Sequence, residues 1–165
     1  MVAGRVARSL EQFSELPNSV RGWYLDLGYP QTGADNNRGE RITTRPEVYG
    51  RMLAVTSMVP MVATGCSSDI KGAVIALDAF TGTLPRGGGY LDMNNDGTSD
   101  TVGGKGVGSV SFNHGVGKAN IFVDEDGNAK IVVPSLNGAP PSVLATIAER
   151  NAGARVNWRE LIRNN

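Results

Sequence analysis

The stretch Asn120–Val133, "NIFVDEDGNAKIVV", decides the fold class. Two short apolar runs rich in β-branched residues flank the pair Asp126-Gly127. An Asp-Gly pair between such runs is a strong local hairpin signal, because a tight hairpin turn needs left-handed backbone that glycine adopts without strain. Working outward, the same pattern recurs. "EVYGRMLAVTSMVP" (47–60) reads as a strand, a tight turn at Tyr49-Gly50 and a second strand through Val55, stopped by Pro60. "GAVIALDAFTG" (72–82) reads as a short buried strand, Ala73 to Leu77, running into a turn at Asp78 to Gly82. Another strand is expected near Val110 to Phe112. The glycine-rich run before it, "VGGKGVGSV" (102–110), is expected to be a flexible connection.

Further out the signals are mixed. In "GWYLDL" (22–27), Trp23, Leu25 and Leu27 alternate with Tyr24 and Asp26, the period of a strand. "RVNWREL" (155–161) reads as a last strand. Two segments look helical: Val6 to Leu16, with Leu10, Phe13 and Leu16 on one face and Ser9 as cap, and "PSVLATIAERN" (141–151), with Ser142 as cap. "GYPQTGADNNRGE" (28–40) and "MVATGCSSDIKG" (61–72) are loops by their Gly, Pro, Asn and Asp content. The sum is an all-β fold of about eight short strands, at a spacing that suits a sandwich, a barrel or propeller blades.

Composition narrows the function. The chain has 165 residues, enough for one domain with a real core. Sixteen Lys and Arg balance sixteen Asp and Glu. With no basic excess to attract phosphate, a nucleic-acid partner is not expected. Glycine at 22 and proline at 8 point to turns and short strands rather than a helical bundle. Cys66 is the single cysteine, so the fold is not a disulfide framework. No apolar run approaches the roughly 18 residues that cross a bilayer, and "MVAGRVARSLEQF" lacks the apolar core of a secretory signal.

The chemistry concentrates in "YLDMNNDGTSDTV" (90–102). Carboxylates packed this closely repel unless water or a cation screens them. Calcium takes six to eight oxygen ligands, and a loop supplies them from alternate positions: side chains at 1, 3 and 5, a backbone carbonyl at 7, and a further ligand at 9. Those positions are Asp92, Asn94, Asp96, the carbonyl of Thr98, and Asp100. Gly97 falls at position 6, where the chain turns sharply. Position 12 is Gly103 rather than a bidentate Glu, and no helical pattern flanks the loop. The expectation is therefore a nine-residue Ca2+ loop between strands, not an EF-hand. Magnesium fits less well, since it demands a stricter octahedron.

Other candidates carry less. "VDEDGNA" (123–129) has three acids, but its spacing suits a hairpin. His114 is the sole histidine, which argues against zinc, and nothing pairs it with Cys66 as base and nucleophile. "GGKGVGS" lacks the order of a phosphate-binding loop. Trp23 and Trp158 are expected to be core anchors or blade closures. The Arg150, Arg155, Arg159 and Arg163 series reads as a solvated tail, partly offset by Glu149 and Glu160.

Five segments in order carry a family likeness: "RGWYLDL" (21–27), "GERITTRPEVYGRMLAVTSMVP" (39–60), "GCSSDIKGAVIALDAFTG" (65–82), "YLDMNNDGTSD" (90–100) and "RVNWREL" (155–161). Together they resemble the C-terminal region of the PilY family of type IV pilus biogenesis factors and tip-associated adhesins. "AVIALDAFTG" also resembles the strand-and-turn unit of quinoprotein-like propellers. The resemblance implies a modified β-propeller with an inserted calcium loop, whose ligand positions fall on Asp92, Asn94, Asp96, Thr98 and Asp100. Asn94 stands where the family often has Asp, which implies weaker binding. It implies export, a location at the cell surface, pilus tip, outer membrane or periplasm, contact with minor pilins and host or surface ligands, and a calcium-linked role in pilus extension and retraction. At about 40 to 50 residues per blade, this chain supplies only about three to four blades of a longer ring. Residues 1–20 are expected to be a linker or short helix, and 21–165 the C-terminal part of such a propeller in a longer exported protein or a truncated copy. The expected function is non-enzymatic. The alternatives are a metal-free scaffold propeller for protein contacts and a fragment of a quinone-dependent dehydrogenase.

Overall fold

Runs of small and β-branched residues, broken by glycine turns, fold as antiparallel strands. The computed structural model describes residues 6–10, 14, 16, 17, 19, 21–27, 39–60 and 70–147. Among them are eleven strands: β1 (Val6–Ser9), β2 (Arg41–Ile42), β3 (Glu47–Tyr49), β4 (Met52–Pro60), β5 (Ile70–Asp78), β6 (Leu91–Asp92), β7 (Thr101–Val102), β8 (Lys105–Phe112), β9 (Asn120–Val123), β10 (Ala129–Val133) and β11 (Ser142–Thr146). The larger sheet runs β1-β8-β5-β4-β2, with β3 also on β4 and β7 also on β8; the smaller runs β6-β11-β10-β9. The all-β expectation holds. Among the described residues the two sheets share one core, and they form neither a closed barrel nor a ring of blades.

The central ladder pairs β4 with β5 from Met52↔Asp78 to Pro60↔Ile70. Both faces of this ladder are covered, which explains why both strands are nearly all apolar or small rather than alternating. Met52, Ala54, Val74 and Ala76 face the smaller sheet and meet Leu91, Ile131, Val133 and Leu144. Val55, Ile75 and Leu77 face the other way, beneath Leu10, Trp23, Leu25 and Leu27. Each fully buried Val, Leu or Ile contributes about 1.5–3 kcal/mol relative to exposure.

Several local expectations are corrected. Val6–Ser9 is a strand, not the start of a helix, because the edge of β8 offers a ladder that outweighs weak helical periodicity: Ala7 pairs with Val110. The register shifts between Arg8 and Ser9, and Leu10 fills the space left by Gly108. Ser142–Thr146 is likewise a strand, held on both sides by β10 and β6. The glycine-rich run is no flexible connection. Gly103 and Gly104, with φ 61° and 75°, form a two-residue turn that pairs Val102 with Lys105. β4 runs on to Pro60, where the missing N–H falls at the strand's end. "GWYLDL" joins no ladder, although its alternation is real: Trp23, Leu25 and Leu27 are half-buried while Tyr24 and Asp26 are exposed. Trp23 donates its indole N–H to the Ala79 carbonyl at 3.0 Å. Its ring lies so close to Gly82 that a Cβ there would collide with it. Of the expected loops 28–40 and 61–72, residues 28–38 and 61–69, Cys66 included, lie outside the described residues, as does the strand "RVNWREL" with Trp158, while residues 70–72 belong to β5 rather than to a loop.

One charged network is buried in the larger sheet. Arg8 on β1 donates from Nη1 to Glu40 Oε2 at 3.0 Å and from Nη2 to Glu40 Oε1 at 2.9 Å. Nη2 also reaches Ser109 Oγ at 3.1 Å, and the Ser57 hydroxyl donates to Glu40 Oε1 at 2.5 Å. The Glu40 side chain is fully shielded from solvent. Burial pushes its carboxyl up, but Arg8 and Ser57 outweigh it and hold the group below the ordinary value. A lowered folded-state pKa contributes stability that is present above the unfolded carboxylate range, near about 4.3, and lost as pH falls through the folded value. Glu40→Gln, which leaves Arg8 without its charge partner, is expected to cost about 3 kcal/mol at pH 7. It should also flatten the acid limb of stability, measured by denaturant unfolding at pH 7 and at a series of lower values.

Candidate metal site

Among the described residues the chain crosses between the two sheets three times, and the acidic loop is the crossing from β6 to β7. Asp92 ends β6 in the smaller sheet, opposite Ala145 of β11. Asp100 immediately precedes β7, which pairs with β8 of the larger sheet. The Asp100 N–H donates to the Leu91 carbonyl and the Val107 N–H to the Asp100 carbonyl, both at 2.9 Å. The loop therefore leaves and re-enters the fold at one fixed point.

Its interior geometry follows from its residue types. Asn95 and Gly97 are left-handed, with φ 59° and 84°. Asn is among the few non-glycine residues that tolerate this, and glycine adopts it freely. The resulting tight curl turns backbone N–H groups inward onto the carboxylates. Asp92 accepts from Asp96 N–H at 3.2 Å and from Gly97 N–H at 2.9 Å. Asp100 Oδ2 accepts from Met93 N–H. Asp96 Oδ1 accepts from the Thr98 N–H at 2.8 Å and the Thr98 hydroxyl at 2.6 Å, and Asp96 Oδ2 from the Asn94 amide at 2.8 Å. These donors, Thr98 first, hold the Asp96 carboxyl below the usual carboxylate range.

The five expected ligand positions lie along this one curl without their carboxylates converging. Asp92 and Asp100 are buried, at 3% and 8% exposure, while Asn94, Asp96 and Thr98 are exposed. As they stand, the carboxylates face backbone donors rather than a common point. Among the described residues, no group of three His, Cys, Asp or Glu side chains is gathered as a metal cage. The donor set still suits a hard cation. A carboxylate has about four acceptor sites. Two on Asp92 and one on Asp100 carry hydrogen bonds. Among the described residues no Lys or Arg pairs with any of the three acids.

Two further acids, Asp124 and Asp78, have partners of their own. In the hairpin tip, Asp124 accepts from Asn128 N–H and pairs with Lys130 at 3.1 Å. Asn128, then Lys130, hold its carboxyl low. Asp78 caps the turn after β5, accepting from Phe80 and Thr81 N–H at 2.9 and 3.1 Å and from Arg51 at 2.7 Å. Burial raises its carboxyl, but Arg51 and the two N–H donors bring it below the ordinary value. Sequence reading placed that turn correctly yet missed Asp78 as its keystone. The signal was available, since an Asp opening a turn can accept from the N–H groups two and three residues on. His114 is half-buried, with its ring 5.7 Å from that of Phe112. No helix among the described residues is long and apolar enough to cross a membrane.

Fold and site together define an all-β module of two antiparallel sheets connected by, among other segments, an acidic loop. In sequence the chain is 30% identical over 146 residues to a protein of Xylella fastidiosa described as a type IV pilus biogenesis factor PilY1 homolog. The match covers 86% of this chain and 11% of that relative, so the chain spans about a tenth of the relative's length. The comparison bears out the likeness drawn from the ordered segments: the chain is a relative of the PilY family. Among solved structures, the crystal structure of the Pseudomonas aeruginosa PilY1 C-terminal domain superposes with a TM-score of 0.49 at 16% identity, over 73% of this chain and 22% of that one. No protein-family model matches the chain.

A Cβ added at Gly97 meets nothing within 4 Å, so a substitution there tests backbone conformation alone. Gly97→Ala is expected to destabilise the protein by about 1 kcal/mol through its left-handed φ. Gly22→Ala, equally open but with no positive φ, should change little. Paired denaturant titrations of the two variants check this.

Proposed function

We propose that this chain is a non-enzymatic, calcium-binding module of a type IV pilus-associated surface protein. The observation that carries the proposal is the pair of buried carboxylates, Asp92 and Asp100, at the crossing from β6 to β7, with no cationic side chain among the described residues to balance them. In this reading Ca2+ takes oxygens from Asp92, Asn94, Asp96 and Asp100 and the carbonyl of Thr98. Three carboxylates and one divalent ion change the local charge from about −3 to about −1, enough to alter docking of a charged partner. Asn94 supplies a neutral oxygen, which weakens the site.

The pilus assignment rests on the relative, whose description names type IV pilus biogenesis. On that basis the module, residues 21–165, is the C-terminal part of a PilY-type propeller region in a longer exported protein. It acts at the cell surface or in the periplasm, at the pilus tip, against minor pilins and surface ligands. Calcium occupancy adjusts pilus assembly, retraction and adhesion through the β6–β7 crossing.

Calorimetric titration of calcium into the chain and into Asp96→Ala tests the site. Saturable 1:1 binding at roughly 10⁻⁴ to 10⁻³ M that vanishes in the variant is expected. No heat in a folded sample would leave a metal-free scaffold for protein contacts. Asp96 is exposed and its partners are local, so the variant is expected to stay folded.

A further inference from the structure

Beyond β10 the chain makes a short turn, "PSLNGAP" (134–140), docked on the segment that precedes β9. The Gly117 N–H donates to the Pro134 carbonyl at 2.8 Å, and the Leu136 N–H to the Gly115 carbonyl at 3.0 Å. At its tip Asn137, Gly138 and Ala139 are exposed. Asn137 is the one asparagine of the chain that precedes a glycine. Its side-chain Oδ1 accepts from the Ala139 N–H at 3.1 Å and from the Ser135 hydroxyl. A backbone N–H can only donate, so Ala139 fixes which end of the amide is oxygen. The Asn137 N–H in turn reaches Ser135 Oγ at 3.4 Å. Gly138 has φ 82° and open space around it. Among the described residues nothing accepts from its N–H.

We propose that Asn137 is a site of spontaneous deamidation, promoted by its own turn. The Gly138 nitrogen loses its proton to water and bonds to Asn137 Cγ. Negative charge then builds on Oδ1, where the Ser135 hydroxyl and the Ala139 N–H already point, and donors placed in advance favour such an intermediate. The Cγ–Nδ2 bond breaks, Nδ2 takes a proton from water and leaves as ammonia, and a five-membered succinimide remains. Water opens that ring at either carbonyl, giving aspartate or its β-linked isomer. Glycine at 138 is what lets the nitrogen approach, since a Cβ on that residue would crowd its own nitrogen against Cγ. The pairs Asp96-Gly97 and Asp126-Gly127 start instead from a carboxylate, whose charge resists attack. At Asp96 the Thr98 donors favour that ionised form. Deamidation adds one negative charge to a chain whose formal net charge is zero. The β-linked isomer also lengthens the main chain by one carbon between Leu136, bonded to Gly115, and β11.

The test incubates the full chain at mildly alkaline pH and follows it by tryptic peptide mapping. Cleavage after Lys130 and Arg150 releases residues 131–150, in which Asn137 is the sole side-chain amide, so any amide-to-acid exchange in that peptide is assigned. Asn137 is expected to convert faster than every other asparagine, with an acidic band growing on isoelectric focusing. Ser135→Ala removes one donor from the exposed oxyanion and should slow the conversion about two- to tenfold. Ser135→Thr keeps the hydroxyl and should restore the rate. In denaturant, where the turn is lost, Ser135→Ala and the parent chain should convert alike. Earlier conversion at another asparagine would overturn the site. So would an equal or faster rate in folded Ser135→Ala, because the turn would then restrain the amide instead of activating it. No step involves calcium, so failure of the metal reading leaves this test intact.

Discussion

The β4–β5 ladder is the constraint from which the rest of the fold follows. It is long, continuous and covered on both faces. A ladder with two buried faces has no polar side to give to water, so it must recruit a layer on each. The smaller sheet supplies one layer through Ile131, Val133 and Leu144. The segment Trp23–Leu27, with Leu10, supplies the other. That second layer is not a sheet, and it is pinned by specific contacts instead. The Trp23 indole bonds the Ala79 carbonyl, and the flat back of Gly82 accepts its ring. Asp78 holds the same turn in shape from the other side, so one short turn anchors a whole covering segment.

The ladder also dictates where charge is tolerated. Arg8, Glu40, Ser57 and Ser109 form a closed polar set within otherwise apolar surroundings. A buried ion pair adds little net stability relative to apolar residues, but breaking it is costly. Its effect here is to tie the edge strand β1 to the segment entering β2. The acidic loop follows a different rule. Its carboxylates have no cationic side chain among the described residues and lean on backbone N–H groups instead. Those donors carry partial positive charge and lower the cost of grouping the acids without removing their net charge.

Much of this was legible in the sequence, and the misses have physical causes. The hairpin at Asp126-Gly127, the turn at Tyr49-Gly50 and the strand leading to Asp78 are local features, set by glycine geometry and apolar runs, and they read correctly. The curl of the acidic loop was legible for the same reason: Gly97 and alternating oxygen side chains act over a few residues. What failed was non-local. Whether Val6–Ser9 and Ser142–Thr146 become helix or strand depends on an open edge elsewhere in the chain, which periodicity over a few residues does not report. The paired glycines 103 and 104 looked like flexibility but encode a turn, because both take positive φ and Val102 and Lys105 then pair. Glu40 sits in a stretch that reads as loop, and nothing beside it in sequence announces that Arg8 will bury it.

The loop's backbone order bears on what a cation would gain. A flexible acidic segment must lose chain entropy to wrap an ion, at a cost of about 1–2 kcal/mol for each residue fixed. Here much of that ordering belongs to the fold. Both ends are tied to separate sheets, Asn95 and Gly97 supply the left-handed turns, and four N–H groups between Met93 and Thr98 bond the loop's own carboxylates. The groups left to move are side chains, with small entropy. Preorganisation of this kind raises affinity by lowering the cost of binding rather than by adding contacts. It also has a mechanical consequence. The two ends of the loop belong to different sheets, so a change in the partners of Asp92 and Asp100 acts on one of the connections between them.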